Sequence, residues 1–291
     1  MDTGLFFQIL ANGLMSGGMY ALVASGLTLI LGVAKIFNFA QGHFYMLGAY
    51  VTFAVAVTLG LPYPIALLAA LASMAILGVL FHFAIVQWTI PHGFFHTVLV
   101  TILFGTMVSQ ASLLTFGPTQ RIMPALIPGT LNIGDVALNW NKLLVIGCAI
   151  IVMAALHFFM KTRIGTAMLA AAENSDVASL QGINAKQIFW IAMAVGCGLS
   201  GIAGGLIVPV LGASLAMGAS IFTRALLVLI IGGMGSMSGA LIAAFLVGII
   251  ESFAFHFVGY LNLLVIFAFV AVLLYFRPGG LMGKPLPIPG E

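Results

Sequence analysis

The stretch NKLLVIGCAIIVMAALHFFM (141–160) runs directly into KTRIGTAMLAAAENSDVASLQGINAKQ (161–187), and this junction decides the fold. The first part is an apolar run of the length, about 20 residues, that crosses a bilayer core as a helix. The second part, called here the polar interval, holds five of the 15 charged side chains, counting nine basic and six acidic residues. A second apolar run follows it. The pattern predicts two membrane helices joined by a polar connection.

The composition extends this prediction to the whole chain. Hydrophobic residues make up 63% and charged residues only 5%, whereas soluble domains carry roughly 25% charged residues. We predict an all-α, polytopic membrane bundle of about eight to nine spans that forms a single domain over residues 1–291. The apolar runs lie near 5–31, 40–59, 64–87, 97–115, 141–160, 187–211, 219–233, 238–258 and 260–276.

Basic residues predict the orientation, because they collect on the cytoplasmic side of membrane proteins. With the N-terminus outside and the C-terminus in the cytoplasm, six of the nine lysines and arginines lie on the cytoplasmic side. The polar interval 161–187 is then cytoplasmic, and the loop 116–140 is external. Prolines and glycines punctuate that loop, so we expect an ordered cap or hairpin there.

Two polar, glycine-punctuated stretches interrupt the apolar pattern. They are KIFNFAQG (35–42) and GGMGSMSG (232–239), and the second follows an apolar run too short to cross a bilayer. Broken or re-entrant helices are tolerated at membrane depth only against protein or a water-filled cavity, and they often mark a transport path. Two of them favour a translocator.

Local signals predict two short helices inside the polar interval. Thr162 is placed to cap a helix over about 163–173, and Ser175 a second helix beginning at residue 176. Gly182 suits a left-handed position after that helix, and Asn184 suits the start of the next span. We expect small alanines to be exposed here and to dock on another protein. The alternative is a connector that lies on lipid headgroups.

Three motifs then carry a specific resemblance: IFNFAQGH (36–43), AAENSDVASLQGIN (171–184) and IGGMGSMSGALIAAFLVGIIE (231–251). In this order and spacing they resemble the permease subunits of branched-chain amino acid ABC importers. Arg224 stands where those permeases usually have a lysine. The second motif resembles the family's cytoplasmic coupling loop.

The resemblance implies a multi-pass transport subunit of the bacterial inner membrane rather than an enzyme. Its implied partners are a second permease chain, identical or different, two cytoplasmic ABC ATPases that bind ATP and Mg²⁺, and an external solute-binding protein. The implied solute is a branched-chain or other hydrophobic amino acid, or a related small amide or carboxylate. No nucleic acid or cofactor is expected on this chain. Its only Gly-Lys pair, Gly283-Lys284, is followed by proline, so it lacks the phosphate-binding loop that ends in Gly-Lys-Ser/Thr.

The candidate site residues fall into two groups. The substrate pathway or gate comprises Asn38, Gln41, Gly42, Arg224, Gly232, Gly233, Gly235 and Glu251. The coupling surface for the ATPase comprises Ala170, Ala171, Ala172, Glu173, Asn174, Ser175, Asp176, Ala178, Ser179, Leu180 and Gly182.

Several alternatives stay open at this stage. Arg224 either attracts a substrate carboxylate or pairs with Glu251, since intramembrane charges usually pair. Asn38 and Gln41 either line the pathway or satisfy backbone groups freed by the break. Rival functions are a stand-alone secondary transporter or channel and, more remotely, a rhomboid-like protease that uses Ser200 and His256. The spacing of His92 and His96 is that of a zinc helix, but it lacks the intervening Glu and a third ligand nearby, and we expect no metal site.

Overall fold

The computed structural model describes residues 3–127, 129–133 and 136–283, and these residues are almost entirely helical. A two-stranded antiparallel hairpin is formed by β1 (Thr130–Ile133) and β2 (Val136–Asn139). The helices are α1 (Thr3–Ala34), α2 (Gln41–Phe53), α3 (Tyr63–Phe81), α4 (Gln87–Thr89), α5 (Phe94–Phe116), α6 (Trp140–Met160), α7 (Arg163–Glu173), α8 (Ser175–Leu180), α9 (Ala185–Leu211), α10 (Met217–Gly232), α11 (Met237–Val258) and α12 (Asn262–Phe276).

Six helical stretches in the described ranges are long and apolar enough to cross a membrane: Gly4–Ala34, Tyr63–His92, Phe94–Phe116, Trp140–Met160, Ala185–Leu211 and Met237–Phe276. This confirms the membrane-helical fold class. The predicted runs 40–59 and 219–233 begin with or contain shorter helices, α2 and α10, of 13 and 16 residues. Their apolar side chains are largely buried against other helices. Burial in protein requires the same apolar residues as contact with lipid, so these two runs looked like full spans in the sequence.

The hairpin and the polar interval lie at opposite ends of the bundle. Helix α6 begins directly after β2, and two residues separate its end from α7. Its 21 residues extend about 31 Å. We call these the hairpin end and the polar end. The hairpin agrees with the ordered cap or hairpin expected for this loop.

Helices α1 and α9 form the centre of the bundle, and α2 and α10 are inserted beside them. A Cβ atom added at Gly26 of α1 would lie 2.9 Å from Nε2 of Gln41, the first residue of α2. Gly26 precedes the end of α1 by eight residues, or about 12 Å. Residues 35–40 therefore fold back along α1, and α2 starts inside the bundle.

Helix α10 starts at the same depth as α2. A Cβ atom at Gly42 would overlap the carbonyl oxygen of Gly218, so the first turns of the two helices touch through their backbones. Helix α2 packs as closely on α9, where a Cβ at Gly204 would overlap the carbonyl oxygen of Tyr45. Close backbone approach of this kind requires glycine and is typical of membrane helix packing.

The polar interval contains the two predicted helices, with one cap corrected. Oγ1 of Thr162 accepts from the Gly165 amide at 3.3 Å, as predicted. Asn174, not Ser175, caps α8: its Oδ1 accepts from the amides of Asp176 and Val177 at 3.0 and 3.1 Å. The helix begins one residue earlier than predicted, so the extended Asn174 takes the cap position and Ser175 lies in the first turn.

The end of the polar interval also follows the prediction. Gly182 has a φ of +84°, which favours glycine. Asn184 then begins α9 by accepting from the amides of Lys186 and Gln187.

The expectation of exposed alanines is wrong. Ala171 and Ala178 are 0% and 4% exposed, and Ala170 and Ala172 are half-buried. Their small side chains let α7 and α8 lie close against the polar end of the bundle, so the alanines form the inner face of the interval.

After α12, residues 277–283 turn back onto the end of α10. The amides of Leu281 and Met282 donate to the carbonyls of Ile231 and Gly232 at 2.7 and 3.1 Å. These carbonyls belong to the last turn of α10, which has no helical partners of its own. Lys284 supported the predicted orientation and belongs to the Gly-Lys pair that lacks the phosphate-loop pattern. It lies outside the described residues.

Candidate functional site

A cavity of about 1020 Å³ lies towards the hairpin end, between α1, α9, α10 and α11. Helix α1 contributes a polar stripe to its lining: Gln8, Asn12, Ser16 and Tyr20. These residues are four apart, a spacing that places side chains on one face of a helix. One wall of the cavity therefore offers hydrogen bonds at successive turns of α1.

Apolar side chains make up much of the rest of the lining. Ile207 and Val210 of α9 and Met217 and Ile221 of α10 line it, together with Met19 of α1. The cavity is thus amphipathic. It suits a solute with one polar and one apolar part, as small-molecule sites usually combine an apolar lining with a few placed polar groups.

A charged cluster stands at the junction of α1, α10 and α11. Nε and Nη2 of Arg224 both approach Oε1 of Glu251, at 2.7 and 2.6 Å. Asn262 Nδ2 also donates to Oε1 at 3.2 Å, and the Tyr20 hydroxyl donates to Oε2. Nη1 of Arg224 donates to the carbonyl and hydroxyl oxygens of Ser220, at 3.0 and 2.6 Å.

The cluster is electrically neutral and its carboxylate is fully occupied. The side chains of Arg224 and Glu251 line the cavity, yet they are only 18% and 10% exposed. Of the alternatives left open by the sequence, the pairing of Arg224 with Glu251 is what the structure shows.

The first break lies away from the cavity lining. Asn38 and Gln41 are 1% and 0% exposed. Asn38 Oδ1 accepts from the Ala40 amide at 3.1 Å, and its Nδ2 donates to Gln41 Oε1 at 3.2 Å. Gln41 Nε2 donates to the Gly196 carbonyl at 2.8 Å and the Ser200 hydroxyl at 2.7 Å. Both amides therefore satisfy polar groups inside the protein, the structural role that the sequence left open.

The glycines of the second break also lie away from the cavity. Gly232 and Gly233 form the end of α10, and a Cβ at Gly233 would overlap Gly283 of the returning chain. Gly235 has a φ of +87° in the turn to α11. Gly42, the remaining glycine of the predicted pathway, packs on Gly218 as described above.

The residues of the protease alternative are not brought together. Ser200 is fully buried and its hydroxyl accepts from Gln41, whereas His256 is exposed and lines the cavity. His92 and His96 have ring centroids 5.9 Å apart, and Nδ1 of His92 is 2.9 Å from the Trp88 carbonyl. Within the described ranges, no group of three or more His, Cys, Asp or Glu residues could hold a metal ion.

The outer face of the polar interval exposes apolar as well as polar side chains. Leu169, Val177 and Leu180 are 48%, 50% and 87% exposed, and we call these three residues the loop apolar face. Sequence reasoning included Leu180 but missed the other two. A signal was available in α7, because its buried residues Gly165, Met168 and Ala171 are three apart and Leu169 falls outside that phase.

The polar stripe of α1, with Lys142 whose Nζ donates to Asn12 Oδ1 at 2.8 Å, was also missed. Its four-residue spacing inside an apolar run was the available signal.

Comparison with known proteins places these features in one family. A family model described as the permease component of branched-chain amino acid transport systems matches residues 9–275. The high-affinity branched-chain amino acid transport system permease protein BraD of Pseudomonas aeruginosa is 31% identical, with 96% of both chains covered. The permease protein LivH of Escherichia coli K12 is 28% identical over the same shares.

A solved structure has the same fold. One chain of PsaBC from Streptococcus pneumoniae in complex with Fab superposes with a TM-score of 0.54 at 13% identity, covering 94% of this chain and 93% of that one. Family model, relatives and fold agree across nearly the whole length: the chain belongs to the family of permease components of branched-chain amino acid transport systems.

Proposed function

We propose that this chain is the membrane permease of an ATP-driven importer that carries branched-chain or other hydrophobic amino acids across the bacterial inner membrane. The observation that carries the proposal is the amphipathic cavity, whose lining combines the polar stripe and the charged cluster with apolar side chains. A small amino acid with an apolar side chain has the same division. The names of the relatives BraD and LivH support this solute class.

The proposed topology has nine membrane segments, with the N-terminus outside and the C-terminus in the cytoplasm. Seven are α1, α3, α5, α6, α9, α11 and α12, while α2 and α10 enter only part of the depth. The hairpin end then faces outward and the polar end faces the cytoplasm, which agrees with the positive-inside bias of Lys35, Lys161, Arg163, Lys186 and Arg277. The cavity would receive solute from an external binding protein.

In this proposal the segment from Ala170 to Gly182 docks on a cytoplasmic ATPase. The loop apolar face supplies the contact, since exposed leucine and valine side chains on short helices fit an apolar groove of a partner. A second permease chain completes the pathway. ATP-driven movement of the two ATPases would shift α7 and α8 and alternate the access of the cavity between the two sides.

Uptake by the reconstituted complex tests the proposed solute. Proteoliposomes that hold this chain with its second permease and ATPase subunits, supplied with the binding protein outside and ATP inside, should accumulate radiolabelled leucine. Competition by isoleucine, by leucinamide and by isovalerate separates the amino acid from the amide and the carboxylate alternatives. Accumulation that persists without ATP would instead support a stand-alone transporter.

Leu180→Asp tests the docking surface. We expect a loss of ATP-dependent uptake of at least about tenfold, because a charge would replace an apolar side chain inside the contact, where truncation of a hot-spot residue costs about 2 kcal/mol or more. Gln187→Asp adds the same charge in the first turn of α9, at an exposed polar position outside the docking segment, and should leave uptake nearly unchanged. Equal uptake by both variants would contradict docking through the loop apolar face.

A further inference from the structure

Lys35 has an unusual backbone conformation at the turn between α1 and the first break. Its φ is 56°, and among the described residues it is the one non-glycine residue with a positive φ. A left-handed conformation is strained for a lysine, and such strain is kept where the surroundings determine it. The turn directs the chain back into the bundle immediately after α1 ends at Ala34.

The side chain of Lys35 joins this turn to the polar interval. Its Nζ donates to the carbonyl oxygen of Ala172 at 2.8 Å. Ala172 lies in the last turn of α7, where carbonyls lack helical partners and carry the negative end of the helix dipole. A Cβ atom added at Gly32 of α1 would lie 3.5 Å from the Cβ of Ala172, an ordinary van der Waals contact. The end of α7 is thereby held to the end of α1 by a charge-assisted bond and by close packing.

The other end of the break is held to the central helix. Three residues after Lys35, the side chain of Asn38 donates a hydrogen bond to the side chain of Gln41. Gln41 in turn donates to Gly196 and Ser200, in the middle of α9. Residues 36–40 contain no regular helix. A short segment with one end fixed to α7 and the other to α9 moves when either helix moves.

We propose that Lys35 is a positioning residue that transmits movement of α7, through the first break, to the middle of α9. The proposal rests on the proposed function, because the movement begins when nucleotide changes the docked ATPase. The break then has a mechanical role in import, distinct from contact with the solute. Loss of the Lys35 ammonium should leave nucleotide-driven changes in α7 intact and weaken those in the first break and the start of α2.

Hydrogen exchange of the whole importer complex in lipid nanodiscs tests this, with ADP or with ATP and vanadate as the nucleotide probe. In the unmodified complex, nucleotide should change exchange both in the polar interval and in residues 36–45. With Lys35→Gly, which relieves the backbone strain and removes the ammonium, the polar interval should still respond, while the response of residues 36–45 should fall about fivefold, the low end of common coupling between sites. Lys35→Arg keeps a donor and should retain the response.

Further variants keep the result interpretable. Lys35→Asn also tolerates a left-handed backbone but is too short to reach Ala172, so it should behave as Lys35→Gly does. Lys186→Asn removes a lysine of the polar interval itself and should change neither response. ATP hydrolysed per leucine transported should rise about fivefold only in the Gly and Asn variants, whereas a merely structural defect would lower both rates together.

The two proposals fail in different ways. If nucleotide leaves the polar interval of the unmodified complex unchanged, the ATPase docking of the proposed function is wrong. If both segments respond in the unmodified complex and respond equally with Lys35→Gly and Lys35→Asn, docking stands and the transmission through Lys35 is refuted.

Discussion

Among the described residues, two polar clusters inside the membrane bundle obtain their hydrogen-bond partners in different ways. Asn38, Gln41 and Ser200 form a sealed cluster of uncharged groups that bind one another and nearby backbone. Arg224 and Glu251 form a charged cluster on the wall of a cavity. Buried polar groups need partners in both settings. The comparison shows that the charged pair lies beside the cavity, where burial costs a charge less. The sealed cluster, which we call the sealed junction together with the close glycine contacts around it, uses uncharged amides and a hydroxyl instead.

The sharpest test of the sealed junction is Gly204→Val. The added side chain would meet the Tyr45 carbonyl of α2, a backbone group that cannot turn away, so we expect a loss of about 3 kcal/mol or more in the free energy of unfolding. Gly147→Val, on helix α6, is the matched control, because a Cβ added at Gly147 would meet no atom within 4 Å. Elution of each variant as a single species in detergent, followed by unfolding in SDS, measures the effect. Equal behaviour would contradict the close contact of α2 and α9.

The charged cluster is tested by removing one or both charges. Glu251→Leu leaves Arg224 without its partner, and we expect about 2 kcal/mol of destabilisation, below the range for fully buried pairs because Arg224 is 18% exposed. Arg224→Met combined with Glu251→Leu should recover most of that stability while uptake stays low, if the pair shapes the pathway. The same unfolding titration measures stability. A double variant no more stable than Glu251→Leu alone would show that the two residues do not act as a pair.

Ser200→Ala should have the smallest effect. It removes one acceptor of Gln41 Nε2, which keeps its bond to the Gly196 carbonyl, so we expect a cost of about 1 kcal/mol. Ser16→Ala, on the cavity stripe, should not destabilise the protein measurably and serves as the comparison. We expect no membrane-protease activity in the unmodified protein or in either variant. An activity that is present in the unmodified protein and lost in Ser200→Ala would support the protease alternative.

The sequence was most informative where a local rule governs the outcome. Side-chain caps at Thr162 and Asn184 and the left-handed Gly182 follow from bonds within a few residues, so they were predictable. Apolar runs predicted a helical membrane bundle. They did not predict that α2 and α10 are short inserted helices, because residues buried in protein and residues facing lipid have the same composition.

The candidate site was predictable only in part, because its geometry depends on contacts between distant residues. Arg224 and Glu251 are 27 residues apart and Tyr20 lies 231 residues from Glu251. An intramembrane charge signals a partner, which identified the pair, but no spacing rule connects α1 with α11. The outward face of the polar interval was misjudged for a related reason: small alanines suit both exposed and closely packed surfaces, and only the tertiary contact of α7 with the bundle decides between them.

The turn at residues 277–283 has a consequence for biosynthesis. The carbonyls of Ile231 and Gly232 receive their partners from Leu281 and Met282, so the end of α10 stays incomplete until about 50 further residues have been translated. Helices α11 and α12 must enter the membrane before this join can close. A chain that ends just before Leu281 would thus keep every described helix and yet leave these two carbonyls without their partners.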